Sequence, residues 1–244
     1  MTSIGIDAHR TLNDGINFDG IPIHASKNLH RDVFAEITGS ALSGRILELG
    51  SGSGAFAERL SKAGFDVTAS DLDGDWYKAD VPFTQADLNG DFSNVFGTEA
   101  FDVIIALETI EHLENPKGFL KQAKKILRSG GSLCISFPNA YTYSVVLAYL
   151  RSGTLVNWNA QAYQDWGHQA ILFDWLIEQM AEEIGFEVRK KRFLSKLNLR
   201  EHYPNPVKRM IVWVMIRVMK AMSPAMSLEK RYADNVFFQL VKKP

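Results

Sequence analysis

The run Ile46-Leu47-Glu48-Leu49-Gly50-Ser51-Gly52-Ser53-Gly54 joins a short apolar strand, read as Arg45–Leu49, to a turn with glycine at every second position. Glycine there lets the chain turn sharply and lets its backbone approach a ligand without a Cβ in the way. Such a turn belongs at the carboxyl end of a strand, where open α/β sheets bind ligands. Working outward, Ala55–Ala63 follows as a helix stopped by Gly64, and Phe65–Ser70 as a second strand ending on Asp71. A third strand ends near Ala86, before Asp87. Phe101–Leu107 is a fourth, almost entirely apolar, as expected of a strand covered on both faces.

The next helix is punctuated clearly. Asn115 is placed to cap it and Pro116 to occupy its first position. Phe119, Leu120, Ala123, Ile126 and Leu127 then fall on one helical face, and Gly130-Gly131 is read as its end. Ser132–Phe137 is a fifth strand. Asp174 is read as the cap of a helix carrying Leu176, Ile177, Met180, Ala181 and Ile184, which Gly185 stops. Phe186–Phe193 and Val236–Val241 complete the strands. Alternation of this kind predicts a largely parallel sheet with helices on both faces.

At 244 residues, 46% hydrophobic and 23% charged, the chain has ordinary globular composition and enough length for one substantial core. One cysteine, Cys134, excludes an intramolecular disulfide framework; inside an apolar run it reads as a buried small hydrophobe. The opening MTSIGIDAHRTLNDG lacks the apolar core of a secretory signal, and no 18-residue apolar stretch occurs. The expectation is a cytoplasmic protein, with peripheral membrane contact as one variant. The net charge of −1 conceals an asymmetry: residues 1–188 hold 13 Lys/Arg against 25 Asp/Glu, and residues 189–220 hold ten against one. A basic segment on an acidic body suits an anionic partner or surface, or is simply a solvated face.

Three acids tilt the glycine turn toward one cofactor. Positions 50, 52 and 55 also satisfy the G-x-G-x-x-[GA] dinucleotide fingerprint, so an NAD(P)-dependent oxidoreductase is one alternative. But Glu48 precedes the first glycine, Asp71 ends the second strand, and Asp87 with Leu88 follows the third. The segments ILELGSGSG, SDLD, QADL, FDVIIALETIEHL and LRSGGSLCISFPN, in this order and spacing, resemble the class I S-adenosylmethionine-dependent methyltransferases. The likeness runs from about residue 45 to 138 and more loosely to 241. It implies a Rossmann-like α/β fold, with a seven-stranded, mostly parallel sheet, helices on both faces and the last strand antiparallel. Residues 1–44 would be an N-terminal cap, and 45–244 the methyltransferase domain.

The resemblance also implies roles. Glu48 with Gly50, Ser51, Gly52 and Gly54 would meet the amino acid part of S-adenosylmethionine. Asp71 would hold the ribose hydroxyls, with Leu72 against the adenine. Asp87 and Leu88 would take the adenine edge, and Glu108 and Thr109 the methionine end. The bland alternative is that some of these acids only cap turns or helices, and that the domain is a non-catalytic interaction subunit.

Glu108, Glu111 and His112 stand at i, i+3 and i+4, one face of a helix if a helix forms there. Two carboxylates and an imidazole can hold a divalent ion, and an oxygen-rich set favours Mg2+ or Mn2+ over zinc. The pattern resembles E-x-x-E-H methyltransferases, namely the ubiquinone-pathway O-methyltransferases and the small-RNA terminal 2′-O-methyltransferases; in the latter a later histidine completes the site, and His168 lies where one would be. The ion would polarise an acceptor hydroxyl; without it, His112 or His168 would be the general base. A structural Glu111–His112 pair is the competing reading.

The acceptor side is less legible. Tyr141, Tyr143, Tyr149, Trp158, Tyr163 and Trp166 fall in an insertion at about 139–172, readable as a lid or as the core of a small subdomain. The segment at about 204–222 is basic and apolar around most of its circumference. It suits a membrane interface, a homodimer contact or packing on the body. The acceptor is expected to be a hydroxyl on a small molecule, glycan or lipid-linked intermediate, and the product S-adenosylhomocysteine. Nucleic acid is a less favoured partner, left open by the basic segment 189–220; base N-methylation is disfavoured, because the strand exit reads Phe137-Pro138-Asn139-Ala140, not the N-P-P-[YF] of enzymes that methylate base amines.

Overall fold

The computed structural model describes residues 17–40, 42–196, 204–224 and 226–244. The first 16 residues of the expected 1–44 cap and the middle of the basic segment (197–203) lie outside the described residues.

A small hairpin, β1 (Asn17–Phe18) with β2 (Ile21–Pro22), leads to helix α1 (Leu29–Gly39). The sheet then alternates with helices: β3 (Arg45–Leu49), α2 (Ala55–Lys62), β4 (Asp66–Asp71), β5 (Phe83–Gln85), α3 (Ser93–Phe96), β6 (Phe101–Leu107), α4 (Pro116–Ile126) and β7 (Leu127–Pro138). Helices α5 (Tyr143–Ser152) and α6 (Ala160–Trp166) follow, then α7 (Asp174–Ile184), β8 (Phe186–Lys196), α8 (Pro206–Met222), α9 (Leu228–Tyr232) and β9 (Ala233–Lys242). The seven strands lie in the order β5-β4-β3-β6-β7-β9-β8, all parallel except β9. This is the seven-stranded, Rossmann-like arrangement the sequence predicts, last strand antiparallel included.

Alternation along β6 sets the two layers. Ile104 and Ala106 face one core with Phe119, Leu120 and Ile177 from α4 and α7. Val103, Ile105 and Leu107 face the other, with Val33, Ile37 and Phe56 from α1 and α2. A strand apolar on both sides has no other place than the middle of the sheet, and β6 sits there, between β3 and β7. Cys134 is wholly buried in the second core, where loss of solvation pushes its thiol up to about 12, so it is an inert hydrophobe at neutral pH.

Two helix boundaries need correction. Asn115 caps α4 as expected, its side-chain oxygen accepting from the Gly118 N–H at 2.8 Å. But α4 ends at Ile126, and Leu127 is already extended. Gly130-Gly131 instead shapes an irregularity in β7: pairing with β6 jumps from Phe101↔Leu127 to Val103↔Ser132. A Cβ on Gly131 would stand 2.9 Å from the backbone oxygens of Arg128 and Asp102, so glycine is what lets the strand fold back into register. In α7 the capping position is Phe173, not Asp174. The Asp174 carboxylate is taken by Lys230 (2.9 Å) and Lys191 (3.0 Å), which outweigh the upward push of burial and hold it below the usual carboxylate range.

Candidate active site

The carboxyl ends of β3, β4 and β6 converge on the glycine turn. Gly50 and Ser51 both donate N–H bonds to the Ser70 carbonyl, at 2.8 and 3.0 Å, fastening the turn to the end of β4. Gly50 has φ +72°, and a Cβ there would fall 2.4 Å from Thr109 Oγ1. Only glycine satisfies both the left-handed backbone and the close approach. Around Gly52 there is open space instead. Its N–H donates to Asp71 Oδ2 at 2.7 Å, and Leu72 N–H donates to Asp71 Oδ1 at 2.7 Å. Burial raises the Asp71 carboxyl, against these backbone donors.

Leu72 is 61% exposed, a large apolar side chain standing beside the turn. Leu88 is the opposite, packed into the core under α4. Asp87 is exposed and accepts from the Asn89 N–H at 2.9 Å, so in this state it caps a local turn. Ser51 is buried with its hydroxyl unpartnered. Glu48 is buried too, and its Oε2 has no hydrogen-bond partner. Burial pushes its carboxyl up to about 8; the Ala57 N–H opposes this and the nearby Asp71 charge adds to it.

On the acceptor side, the helical face expected for Glu108, Glu111 and His112 does not form. Glu108 leaves β6 with φ +46°, and only Ile110–His112 makes a single tight 3₁₀ turn. Glu108 is thereby turned away from a shared metal face. Its Oε2 accepts from Ser26 N–H (2.7 Å), and its Oε1 from the Ser26 hydroxyl (2.8 Å) and Asn235 Nδ2 (2.7 Å). Glu108 therefore ties the N-terminal segment and β9 to the end of β6.

What the structure gathers is Glu111, His112 and His168, with one ligand atom from each lying within 4.8 Å of the others. Glu111 is fully buried and neither carboxylate oxygen has a hydrogen-bond partner. Burial drives its carboxyl well above the usual range, and the Glu108 charge adds to this. His168 Nδ1 lies 2.8 Å from the Asn157 carbonyl oxygen. A carbonyl can only accept, so Nδ1 carries the hydrogen in this arrangement. The two imidazoles meet edge to face at 4.9 Å, and Trp166 and Trp158 stand 5.6 and 6.3 Å from the His168 ring. Gln169 and Ala170 donate N–H bonds to the Glu111 carbonyl at 2.9 and 3.0 Å, which seats the returning insertion on the 3₁₀ turn. With Glu108 out of the set, the donors are one carboxylate and two imidazoles, which suit zinc, manganese or iron better than magnesium.

Three contributors escaped the sequence reading: Ser26, Asp234 and Asn235. Burial, with the Glu108 charge adding, raises Asp234 to about 6. Asp234-Asn235 is a polar pair near the start of an apolar strand. In an antiparallel last strand, that start lies at the same edge as the ends of the parallel ones, so the pair was a readable signal. Of the aromatic residues, Tyr143 is 2% exposed beneath α8, and Tyr163 is 59% exposed.

A methyltransferase domain family matches residues 24–191, and the chain belongs to that family. A ubiquinone biosynthesis O-methyltransferase from Cereibacter sphaeroides is 26% identical over 159 residues, 61% of this chain and 62% of the relative. The chain thus spans under two thirds of that relative's length. Among solved structures, a SAM-dependent methyltransferase from Archaeoglobus fulgidus superposes with a TM-score of 0.60 at 14% identity, covering 88% of this chain and 94% of that one. Phosphoethanolamine N-methyltransferase 2 of Haemonchus contortus, in complex with S-adenosyl-L-methionine, gives 0.58 at 17% identity, covering 98% and 57%. The protein thus carries a methyltransferase-family domain with the fold of the class I, S-adenosylmethionine-dependent enzymes.

Proposed function

We propose that this protein methylates a hydroxyl oxygen on a small-molecule, glycan or lipid-linked acceptor, with a divalent ion held by Glu111, His112 and His168. The observation that carries the reading is Glu111: a fully buried carboxylate with both oxygens unpartnered, beside two imidazoles. Leaving the oxygens of a buried carboxyl without hydrogen bonds costs on the order of 1–3 kcal/mol, unless a ligand repays it. The ubiquinone-pathway relative supports oxygen as the methylated atom.

S-adenosylmethionine supplies an electrophilic methyl carbon on sulfur and leaves as S-adenosylhomocysteine. The glycine turn and Glu48 hold its amino acid end, with Glu48 giving up its proton to face the ammonium. Asp71 exchanges its hold on Gly52 for the ribose hydroxyls, and exposed Leu72 covers the adenine. Asp87 takes the adenine amino group, and Leu88 supports it from within the core. Thr109, packed on Gly50, lines the methionine end, with Glu108 behind it. A divalent ion, when bound, would polarise the acceptor hydroxyl and lower its pKa. Without an ion, His112 or His168 takes that proton. The described residues before 45, anchored through Ser26, cap the site, and the 139–172 insertion closes it with Trp158 and Trp166, excluding water.

The test is metal content by elemental analysis, with methylation of hydroxyl acceptors before and after EDTA. About one ion per chain, lost in Glu111→Gln, with activity restored on metal return, is expected. Activity indifferent to EDTA and to Glu111→Gln sinks the metal. Failure of the wild type to bind S-adenosylmethionine sinks the reading as a whole.

A further inference from the structure

We propose that α8 docks the protein onto an anionic lipid bilayer, lying in the plane of the interface with its outward face among the acyl chains. The surface stands apart from the methyl-transfer reading and does not rest on it. The helix is well formed locally: Asn205 Oδ1 accepts from the N–H groups of Val207 (2.9 Å) and Lys208 (3.2 Å), and Pro206 occupies the first turn. Only a narrow stripe, Val212 and Ile216, is buried, packed with Tyr143, Met219 and Tyr232. At about 100° per residue, the arc opposite Val212 carries Val207, Met210, Val214 and Val218, which are 60, 60, 47 and 52% exposed. Ile211 and Met222 widen it on one side, at 50 and 79% exposed. Among the described residues, this is an apolar face turned outward, the reverse of a water-facing helix.

Charge names the occupant. The helix carries Lys208, Arg209, Arg217 and Lys220 and no acidic residue. Arg217 lies 4.7 Å over the Trp213 ring, placing a cation and an indole together on one edge of the apolar arc. Among the described residues, no acid pairs with Lys208 or Lys220. The basic residues of β8 are different: Lys190 pairs with Glu36 (3.2 Å), Lys191 with Asp174 and Glu178 (3.0 and 2.7 Å), and Arg192 with Glu36 (3.6 Å). Lys208 and Lys220 therefore leave α8, with its apolar outer face, carrying charge that no described acid neutralises. A second copy of that face would oppose like charges, whereas anionic headgroups neutralise them and acyl chains take the apolar arc. No helix among the described residues is long and apolar enough to cross a membrane, which leaves the in-plane orientation. The buried stripe rests on Tyr143, first residue of α5 and close in sequence to Asn139 and Tyr141, so docking and the insertion beside the acceptor site share one small core.

Co-sedimentation of the full chain with phosphatidylcholine vesicles, with and without phosphatidylglycerol, tests this. Binding is expected only with phosphatidylglycerol, weakening several-fold between low and physiological salt. The Met210→Ser/Val214→Ser/Val218→Ser variant and the Lys208→Glu/Arg217→Glu/Lys220→Glu variant should each lose about tenfold or more in binding. Both should keep the wild-type melting temperature and S-adenosylmethionine affinity, which separates this proposal from the methyltransferase reading. Absence of binding to phosphatidylglycerol vesicles overturns it. So does binding that neither variant weakens, and so does a lipid-independent dimer that the serine variant dissolves.

Discussion

Glu48 and Glu111 are both buried carboxyls with an unpartnered oxygen, yet they are built into the molecule in different ways. Glu48 lies two residues before a turn that backbone atoms define, with Ala57 of the next helix and Asp71 of the adjacent strand close by. Glu111 sits on a single 3₁₀ turn and meets its partners only because residues 168–170 return to it after two intervening helices. The first site is local and holds by backbone geometry. The second depends on the insertion being seated. Damage at one end should accordingly spare the other.

The largest expected effect is on the acceptor end. Glu111→Gln removes the anionic ligand but fills the same space, so kcat should fall roughly a hundredfold or more, about 3 kcal/mol. S-adenosylmethionine affinity by calorimetry should stay within about threefold. A parallel loss of cofactor affinity would break the contrast, because it would couple the two ends. Gly50→Ala should do the reverse. A Cβ at φ +72° and 2.4 Å from Thr109 Oγ1 should cost about 2–4 kcal/mol of stability and at least tenfold in cofactor affinity. A normal melting temperature and dissociation constant would show that the turn yields more easily than its geometry indicates.

The smallest effect is a pH signature. The Glu48 carboxyl is raised in the folded chain to about 8 from an ordinary 4.5, so the folded state keeps a proton that the unfolded state has lost. This group costs nothing below about pH 4.5, destabilises increasingly between about 4.5 and 8, and reaches its full cost above that. Glu48→Gln should therefore melt several degrees above the wild type at pH 9 and level with it near pH 4. Cofactor binding to the wild type at pH 7 should release about one proton, seen as a buffer dependence of the calorimetric heat. Equal melting at both pH values would mean that Glu48 is ionised in the free protein.

The same contrast explains what the sequence could and could not reveal. The strands, the glycine turn and the Asn115 cap are local patterns, and the sheet order follows from them. The C-terminal end of α4 and the cap of α7 differ from the sequence reading because glycine and aspartate each have two uses. Gly130-Gly131 serves a strand irregularity, and Asp174 serves two lysines from β8 and α9. At the acceptor end, spacing alone suggested a helical face of Glu108, Glu111 and His112. It carried no information about Ser26 and Asn235, which draw Glu108 elsewhere. His168 could be picked out because the resemblance implies a later histidine after the fifth strand, but its tautomer needed Asn157 in space.

The sealed thiol of Cys134 has a practical consequence for anyone who wishes to watch this protein work. It is the chain's one cysteine, wholly buried, and held protonated at neutral pH. The native sequence is thus already a blank canvas for maleimide labelling. A thiol placed by Tyr163→Cys on the insertion, or by Val218→Cys on the outward face of α8, would be the sole reactive handle. Fluorophores or spin probes could then report on either surface without any prior removal of native cysteines.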